Sequence, residues 1–176
     1  MTPYHFSFKS GKGYTLIELI IAVGLFALIM TLASGAYLVM IGINRQTQAI
    51  ATGIDNLSFA LETMTRTIRT GTNYSCGGGG DCSGGSSFSV RNESLVVTSY
   101  RLSGGAITQT QNAVEVPLTD PLVTVSSLLF YASGTALGDD FQPRVTMIVS
   151  GTVSSGPGKT TPFTVETSAT MRGSDI

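Results

Sequence analysis

One carboxylate near the N-terminus of the chain lies where an ionised group is costly. Glu18 directly precedes residues 19–43, a run of 25 residues that contains no Asp, Glu, Lys or Arg. A charge inside an apolar helix is expensive in a lipid core, so this carboxylate needs a cationic partner or another compensation. The chemistry that the position indicates is therefore charge pairing.

Other groups that could do chemistry are few. His5 is the only histidine, and it precedes the apolar run. Cys76 and Cys82 are the only cysteines, and two thiols alone make an incomplete zinc site. No nucleophile motif or converging acid and base is evident, so the sequence predicts no enzyme, no cofactor and no metal site.

The apolar run predicts a helix that can span a membrane. At 1.5 Å per residue it extends about 37 Å, enough to cross a bilayer with some tilt. The apolar core of a secretory signal peptide is usually about 7–15 residues, so the run is too long for one. A plain membrane anchor accounts for the length but not for Glu18. Two basic residues, Lys9 and Lys12, precede the run, and one, Arg45, follows it. Because positive charge is more frequent on the cytoplasmic side of a membrane helix, this difference slightly favours a cytoplasmic N-terminus.

The residues around Glu18 resemble the cleavage and methylation motif of type IV pilins and pseudopilins. A leader ends at Gly13, and Tyr14-Thr15-Leu16-Ile17-Glu18-Leu19 follow at the start of the apolar run. The resemblance implies that prepilin peptidase cleaves the Gly13–Tyr14 bond and methylates the amine of Tyr14 with S-adenosylmethionine. It also implies that Glu18 pairs with the terminal amine of a neighbouring subunit and sets the register of a filament.

Two features of the resemblance favour a minor subunit. Residues 14–70 contain no proline, whereas many major pilins have one at the position of Gly35. Residues 57–69, 142–149 and 162–172 look like J-type minor pseudopilins of type II secretion. The family implies a subunit held in membrane lipid before assembly. It also implies assembly with other pilin or pseudopilin subunits, by an inner-membrane platform, into a type II secretion pseudopilus or a type IV pilus-like filament.

Beyond the apolar run, residues 44–70 predict an amphipathic helix. Its apolar residues recur at spacings of three, four or seven: Ile43, Ile50, Ile54, Leu57, Leu61, Met64 and Ile68. Glu62 and Arg66 are four residues apart and predict a surface ion pair. We expect the apolar stripe to pack on the protein's own sheet and the helix to end near Gly71, with glycine as its cap.

Residues 71–87 form a glycine-rich segment that contains both cysteines. It is not a phosphate-binding loop, because no Lys-Ser or Lys-Thr pair follows the glycines. Outside the cytoplasm, a Cys76–Cys82 disulfide is favoured over two free thiols. The bond would stabilise the fold by about 2.4 kcal/mol in the chain-entropy model, and its expected role is to restrain a flexible connector.

Residues 88–176 show the alternating pattern of strands. Candidate strands are residues 88–91, 94–102, 106–111, 123–131, 144–152 and 163–171, with tight turns at 92–93 and 104–105. Thr, Val and Ser dominate them, which suits an antiparallel sheet with one solvated face. The predicted fold class is α+β, a long N-terminal helix packed on an antiparallel sheet, which is the pilin-like architecture. The predicted divisions are a leader (1–13), a membrane or filament-core segment (14–43), an amphipathic segment (44–70), a disulfide loop (71–87) and a strand-rich part (88–176).

The charge balance gives no support to nucleic acid as a partner. The chain has 10 basic and 11 acidic residues, and loss of Lys9 and Lys12 with the leader leaves 8 against 11, a net charge of −3. No basic patch is evident along the sequence. Two interpretations of the acidic residues Asp139 and Asp140 remain: a solvated turn, or a calcium site to which Asp120 also contributes oxygen atoms.

Two classes of function remain. One is the structural filament subunit, and the other is a membrane-tethered adhesin or binding module that never polymerises. In both, the chain is a single-pass protein of the cytoplasmic (inner) membrane with a cytoplasmic N-terminus and a periplasmic or extracellular C-terminal domain.

Overall fold

The computed structural model describes residues 13–136, 141–156 and 158–172. These residues contain one helix and nine strands: α1 (Leu16–Thr70), β1 (Thr72–Cys76), β2 (Cys82–Gly85), β3 (Ser87–Arg91), β4 (Val97–Ser103), β5 (Ala106–Gln111), β6 (Val114–Pro117), β7 (Val123–Ser133), β8 (Arg144–Gly156) and β9 (Lys159–Thr170). The chain divides into two compact units between Ile43 and Asn44, inside α1. Residues 1–12 of the leader, and the two acids at 139 and 140, lie outside the described residues.

In the first unit, α1 is apolar on every face. Leu25, Phe26 and Leu28 point in different directions around the helix, yet each side chain is exposed. A helix that is apolar all round is stable inside a bilayer or a protein bundle rather than in water. By length and composition, α1 is the one helix in the described part of the chain that could cross a membrane.

The strands of the second unit form two antiparallel sheets, where the sequence pattern indicated one. The first sheet has the order β1-β3-β4-β5-β6, and the second has the order β2-β7-β8-β9. Along β8, buried residues alternate with half-buried or exposed ones, so one face of the second sheet is turned to the core. The long helix against antiparallel strands confirms the predicted α+β class.

One hydrophobic core joins α1 to both sheets within the second unit. The helix contributes the buried side chains of Leu57, Ala60, Leu61, Met64 and Ile68. Phe88 of β3 and Phe130 of β7 stack with ring centroids 5.4 Å apart, which connects the two sheets. The predicted apolar stripe is therefore confirmed over 57–68, but Ile43 and Ile54 are wrong as core residues, because half or more of each is exposed.

The C-terminal end of α1 lies where the sequence predicted, but its cap differs. Gly71 is not in the left-handed conformation of a glycine cap. A Cβ atom at Gly71 would overlap Cγ2 of Val90, so glycine is needed there for space. The Tyr74 hydroxyl lies 2.8 Å from the carbonyl oxygen of Ile68 and 2.7 Å from that of Gly71. The tyrosine hydroxyl therefore shares its proton between two carbonyl oxygens at the end of the helix, and the Ile68 oxygen also accepts the Gly71 N–H at 3.4 Å.

The glycine-rich segment contains β1 and β2, which the sequence pattern did not indicate. One strand belongs to each sheet, and the Cys76–Cys82 disulfide connects the end of β1 to the start of β2 with a Cα–Cα distance of 5.8 Å. A Cβ atom at Gly85 would overlap Sγ of Cys76 and lie 3.2 Å from Sγ of Cys82. The disulfide thus joins the two sheets where the chain crosses between them, and Gly85 leaves room for it.

The two predicted hairpin turns differ in outcome. Gly104 and Gly105 have φ values of 59° and 80°, which confirms a tight turn between β4 and β5. The predicted turn at residues 92–93 is wrong in length, because the connection runs from Asn92 to Val96. The Asn92 side-chain oxygen accepts a hydrogen bond from the Val96 N–H at 2.9 Å and closes this longer loop.

Candidate functional site

The N-terminal motif begins just before the helix. Gly13, Tyr14 and Thr15 are exposed and non-helical, and α1 begins at Leu16. The Tyr14 residue is 88% exposed. The Gly13–Tyr14 bond therefore lies in exposed chain without helical hydrogen bonds, the kind of backbone that a peptidase can engage.

Thr15 and Glu18 form a capping box at the N-terminus of α1. The Glu18 N–H donates to the Thr15 hydroxyl oxygen at 3.4 Å, and the Thr15 N–H donates to Oε2 of Glu18 at 3.3 Å. The Thr15 hydroxyl also donates to Oε2 of Glu18 at 3.2 Å. The Leu19 N–H donates to the Thr15 carbonyl at 3.2 Å, which makes Thr15 the N-cap residue. Two backbone donors that a helix start leaves unpaired are satisfied in this way.

The capping box gives Glu18 a local compensation for its charge. Its carboxylate accepts hydrogen bonds within its own chain and lies in the first helical turn, where the positive end of the helix dipole favours an anion. Cleavage of the Gly13–Tyr14 bond would leave the Thr15 amide intact, so the capping box would persist after processing. The new amine of Tyr14 would then be one residue before the N-cap.

Thr15 is the residue of this motif to which the sequence interpretation assigned no role. The signal was present, since Thr-x-x-Glu directly before an apolar run is the sequence signature of a capping box. The structure brings Thr15 and Glu18 together. Gly13 and Tyr14 are adjacent to them along the chain.

Asp81 anchors the turn between β1 and β2 at the disulfide. Its carboxylate accepts hydrogen bonds from the Thr135 hydroxyl at 2.7 Å, the Thr135 N–H at 2.9 Å and the Gly134 N–H at 3.2 Å. The Thr135 hydroxyl bond, followed by the Thr135 backbone bond, lowers the pKa of Asp81. These bonds fix the disulfide-bearing turn to the segment that follows β7.

The described residues show no constellation for metal binding. Across 13–136, 141–156 and 158–172, no three or more His, Cys, Asp or Glu side chains converge as ligands. Asp120 uses a carboxylate oxygen to accept the Leu122 N–H at 2.9 Å. The other two acids of the calcium hypothesis, Asp139 and Asp140, lie outside the described residues.

Residues 9–34 match the prokaryotic N-terminal methylation motif. The matched residues include Gly13, Tyr14, Thr15 and Glu18, and the match supports a similarity to the type IV pilin-like and pseudopilin family, whose members are processed by prepilin peptidase. Together with the apolar helix, it supports a single-pass membrane protein. No curated protein and no solved structure shows a significant match to the chain.

Proposed function

We propose that this chain is a minor pseudopilin or minor pilin that is cleaved at Gly13–Tyr14, N-methylated at Tyr14 and assembled into a filament through Glu18. Before assembly the apolar part of α1 is held in membrane lipid, with the N-terminus in the cytoplasm and the two-sheet domain on the other side. The filament is a type II secretion pseudopilus or a type IV pilus-like fibre. Prepilin peptidase, other subunits and an inner-membrane platform are its partners.

The observation that carries this proposal is the position of the Glu18 carboxylate. It lies in the first turn of a helix that is apolar on every face, four residues after the proposed new amine. The capping box compensates the charge within one subunit, but a carboxylate retains acceptor capacity for a further donor. The amine of a neighbouring subunit, brought alongside when apolar helices bundle, would supply that donor and its positive charge.

The processing step is tested by intact-mass analysis of the protein from cells that contain prepilin peptidase. The expected mass is that of residues 14–176 plus one methyl group, with the cysteines oxidised. A matched Gly13→Ala variant should accumulate with its leader attached. A wild-type chain that still begins at Met1 or Thr2 would overturn the prepilin assignment.

The assembly step is tested by separating the charge of Glu18 from its capping role. Glu18→Gln retains a side-chain oxygen that can complete a capping box, but it removes the negative charge. Thr15→Ala removes the capping hydroxyl and leaves the charge. If Glu18 sets subunit register, Glu18→Gln abolishes incorporation into filaments, whereas Thr15→Ala retains most of it.

The alternative function makes the opposite prediction. A tethered adhesin or binding module would reach the cell surface equally well with Glu or Gln at position 18, and it would not co-purify with sheared filaments. Normal incorporation of the Glu18→Gln protein would refute the register mechanism. Loss of incorporation in Thr15→Ala with full retention in Glu18→Gln would assign Glu18 a capping role alone.

A further inference from the structure

A cationic surface cavity lies beside the C-terminal end of α1. It has a volume of about 260 Å³ and is lined by Glu62, Thr65, Arg66, Arg69, Thr70 and Arg172. The Arg172 N–H donates to the carbonyl oxygen of Arg69 at 3.0 Å, which holds these two residues together. More than 100 residues of sequence separate them. The sequence spacing therefore does not indicate this cluster.

The cavity concentrates positive charge in an acidic chain. Three of the eight basic residues that follow the leader line it, against one of the eleven acidic residues. Nη2 of Arg66 lies 3.7 Å from Oε1 of Glu62, but both side chains are well exposed, so this pair is weak. In the described part of the chain, Arg69 and Arg172 form no ion pair. The lining side chains therefore carry a net formal charge of +2.

The helix dipole explains only part of this arrangement. A cation near the last turn of a helix is stabilised by the carbonyl end, which suits Arg66 and Arg69. Arg172 belongs to the segment after β9, and its charge adds repulsion to the other two guanidinium groups. An anion in the cavity would convert that repulsion into attraction.

We propose that this cavity binds a phosphate group. Guanidinium groups present planar pairs of N–H donors that match the oxygens of a phosphate, and their charge is fixed at all physiological pH values. A net charge of +2 suits the phosphate dianion better than a single carboxylate. Two sources share this chemistry, free inorganic phosphate and the phosphate of a lipid headgroup. The site is independent of leader cleavage and of filament assembly.

Binding is measured on the full chain in non-ionic micelles, with ¹⁵N-labelled arginine. Inorganic phosphate is titrated against sodium chloride of equal ionic strength while the Nε–H signals of the seven arginines are followed. The signals of Arg66, Arg69 and Arg172 should shift together, with a Kd on the order of 1 mM. Nanodiscs with and without phosphatidylglycerol, in phosphate-free buffer, distinguish the lipid source. The same shifts on the lipid alone would assign the headgroup.

Removal of positive and of negative charges from the cavity should change the affinity for phosphate in opposite directions. Arg69→Gln and Arg172→Gln should each weaken phosphate binding about tenfold, since each removes a charge-assisted hydrogen bond. Glu62→Gln should strengthen it severalfold. Lys159→Gln removes the same charge at the opposite end of β9 from Arg172 and should change the Kd less than twofold.

Three results would overturn the proposal. The first is an equal effect of sodium chloride and phosphate on the arginine signals. The second is an equal loss of affinity in Arg69→Gln and Lys159→Gln proteins that have unchanged unfolding midpoints. The third is an unchanged Kd for phosphate in Arg172→Gln, because the cavity would then not be the binding site.

Discussion

Two buried tyrosines should respond in opposite ways to the same substitution. Tyr74 is 6% exposed and Tyr100 is fully buried, and both belong to the core between α1 and the sheets. The Tyr74 hydroxyl lies within 2.8 Å of two carbonyl oxygens at the end of α1. Among the described residues, no group meets the Tyr100 hydroxyl with hydrogen-bond geometry. Burial raises the pKa of Tyr100, and the nearby Thr67 hydroxyl opposes that rise only in part.

The expected magnitudes follow from this difference. Tyr74→Phe leaves carbonyl oxygens of two buried residues without a side-chain donor, so the free energy of unfolding should fall by about 1–3 kcal/mol. Tyr100→Phe removes a desolvated hydroxyl for which the Thr67 hydroxyl compensates only in part, so the free energy of unfolding should stay the same or rise by up to about 1 kcal/mol. For a unit of this size, 1 kcal/mol corresponds to roughly 3–5 °C in Tm.

The measurement is urea unfolding of the full chain in non-ionic micelles, followed by near-UV circular dichroism. The chain has no tryptophan, so tyrosine and the disulfide supply the signal. Near-UV detection reports the packed domain, whereas far-UV detection would be dominated by helix that stays folded in the micelle. Tyr131→Phe, at a partly exposed position on β7, is the matched control and should change stability by less than about 0.5 kcal/mol.

Equal losses in Tyr74→Phe and Tyr100→Phe would refute the argument, because the effect would then come from packing around the ring rather than from the hydroxyl. A larger loss in Tyr100→Phe would show that Thr67 pairs with Tyr100 in solution. The first outcome would remove the support for Tyr74 as the cap of α1.

Three further predictions concern stability. Gly53→Ala should lower the free energy of unfolding by about 1–2 kcal/mol, although alanine favours helix, because its Cβ would overlap Cγ1 of the buried Val153. Ala113→Gly should raise it by about 0.5–1 kcal/mol, because Ala113 has a φ of 63° in the two-residue loop between β5 and β6. Urea unfolding measures both. The lowered pKa of Asp81 contributes stability above about pH 4 that is lost as the pH falls through the folded-state pKa. Asp81→Asn should therefore reduce the decrease in the free energy of unfolding at acidic pH. The reduction should be less than about 1 kcal/mol, because the carboxylate is exposed to solvent.

Each of these predictions has a control on the same chain. Gly42→Ala adds a Cβ in α1 with nothing within 4 Å and should not destabilise. Ala51→Gly, at an exposed position of the same helix, should lower stability by about 1 kcal/mol, the opposite sign to Ala113→Gly. Stabilisation by Gly53→Ala would show that the helix can move away from β8. An acid limb unchanged by Asp81→Asn would assign the pH dependence to other carboxylates, such as Glu115, whose pKa is lowered mainly by its hydrogen bond to Arg101.

The strands that the sequence could predict are those with strong alternation. Residues 106–111 were predicted with the bounds that β5 has. β7 and β8 extend the predicted segments at their C-terminal ends, and β9 begins earlier than predicted and ends at Thr170 instead of residue 171. β1, β2 and β6 were missed because they are four or five residues long and rich in Gly, Asn or Ser, or carry Pro117. Their pairing comes from neighbouring strands rather than from their own residues. The division into two sheets was missed for the same reason, since strand order is not a property of any one segment.

In the candidate sites, too, the residues that the sequence could predict are those whose pattern is local. Gly13, Tyr14 and Glu18 could be proposed because their pattern is contained in a few consecutive residues. The capping box also closes within three residues, so Thr15 could have been identified from the same pattern. Arg69 and Arg172 could not, because only the register of β9 against β8 places Arg172 beside the end of α1.

The capping box reduces the compensation that the charge of Glu18 requires from another subunit. Without it, an isolated carboxylate in the first turn of an apolar helix would require a partner at once. With the Thr15 N–H and hydroxyl as donors, the carboxylate is compensated in part within a single subunit. In the proposed assembly, a neighbouring amine would add an interaction rather than rescue an unpaired charge, and the reversible step of subunit addition would need only that difference. Glu18→Gln, which keeps a capping oxygen and removes the charge, therefore tests the proposed charge pairing between subunits more directly than a substitution that also removes the cap.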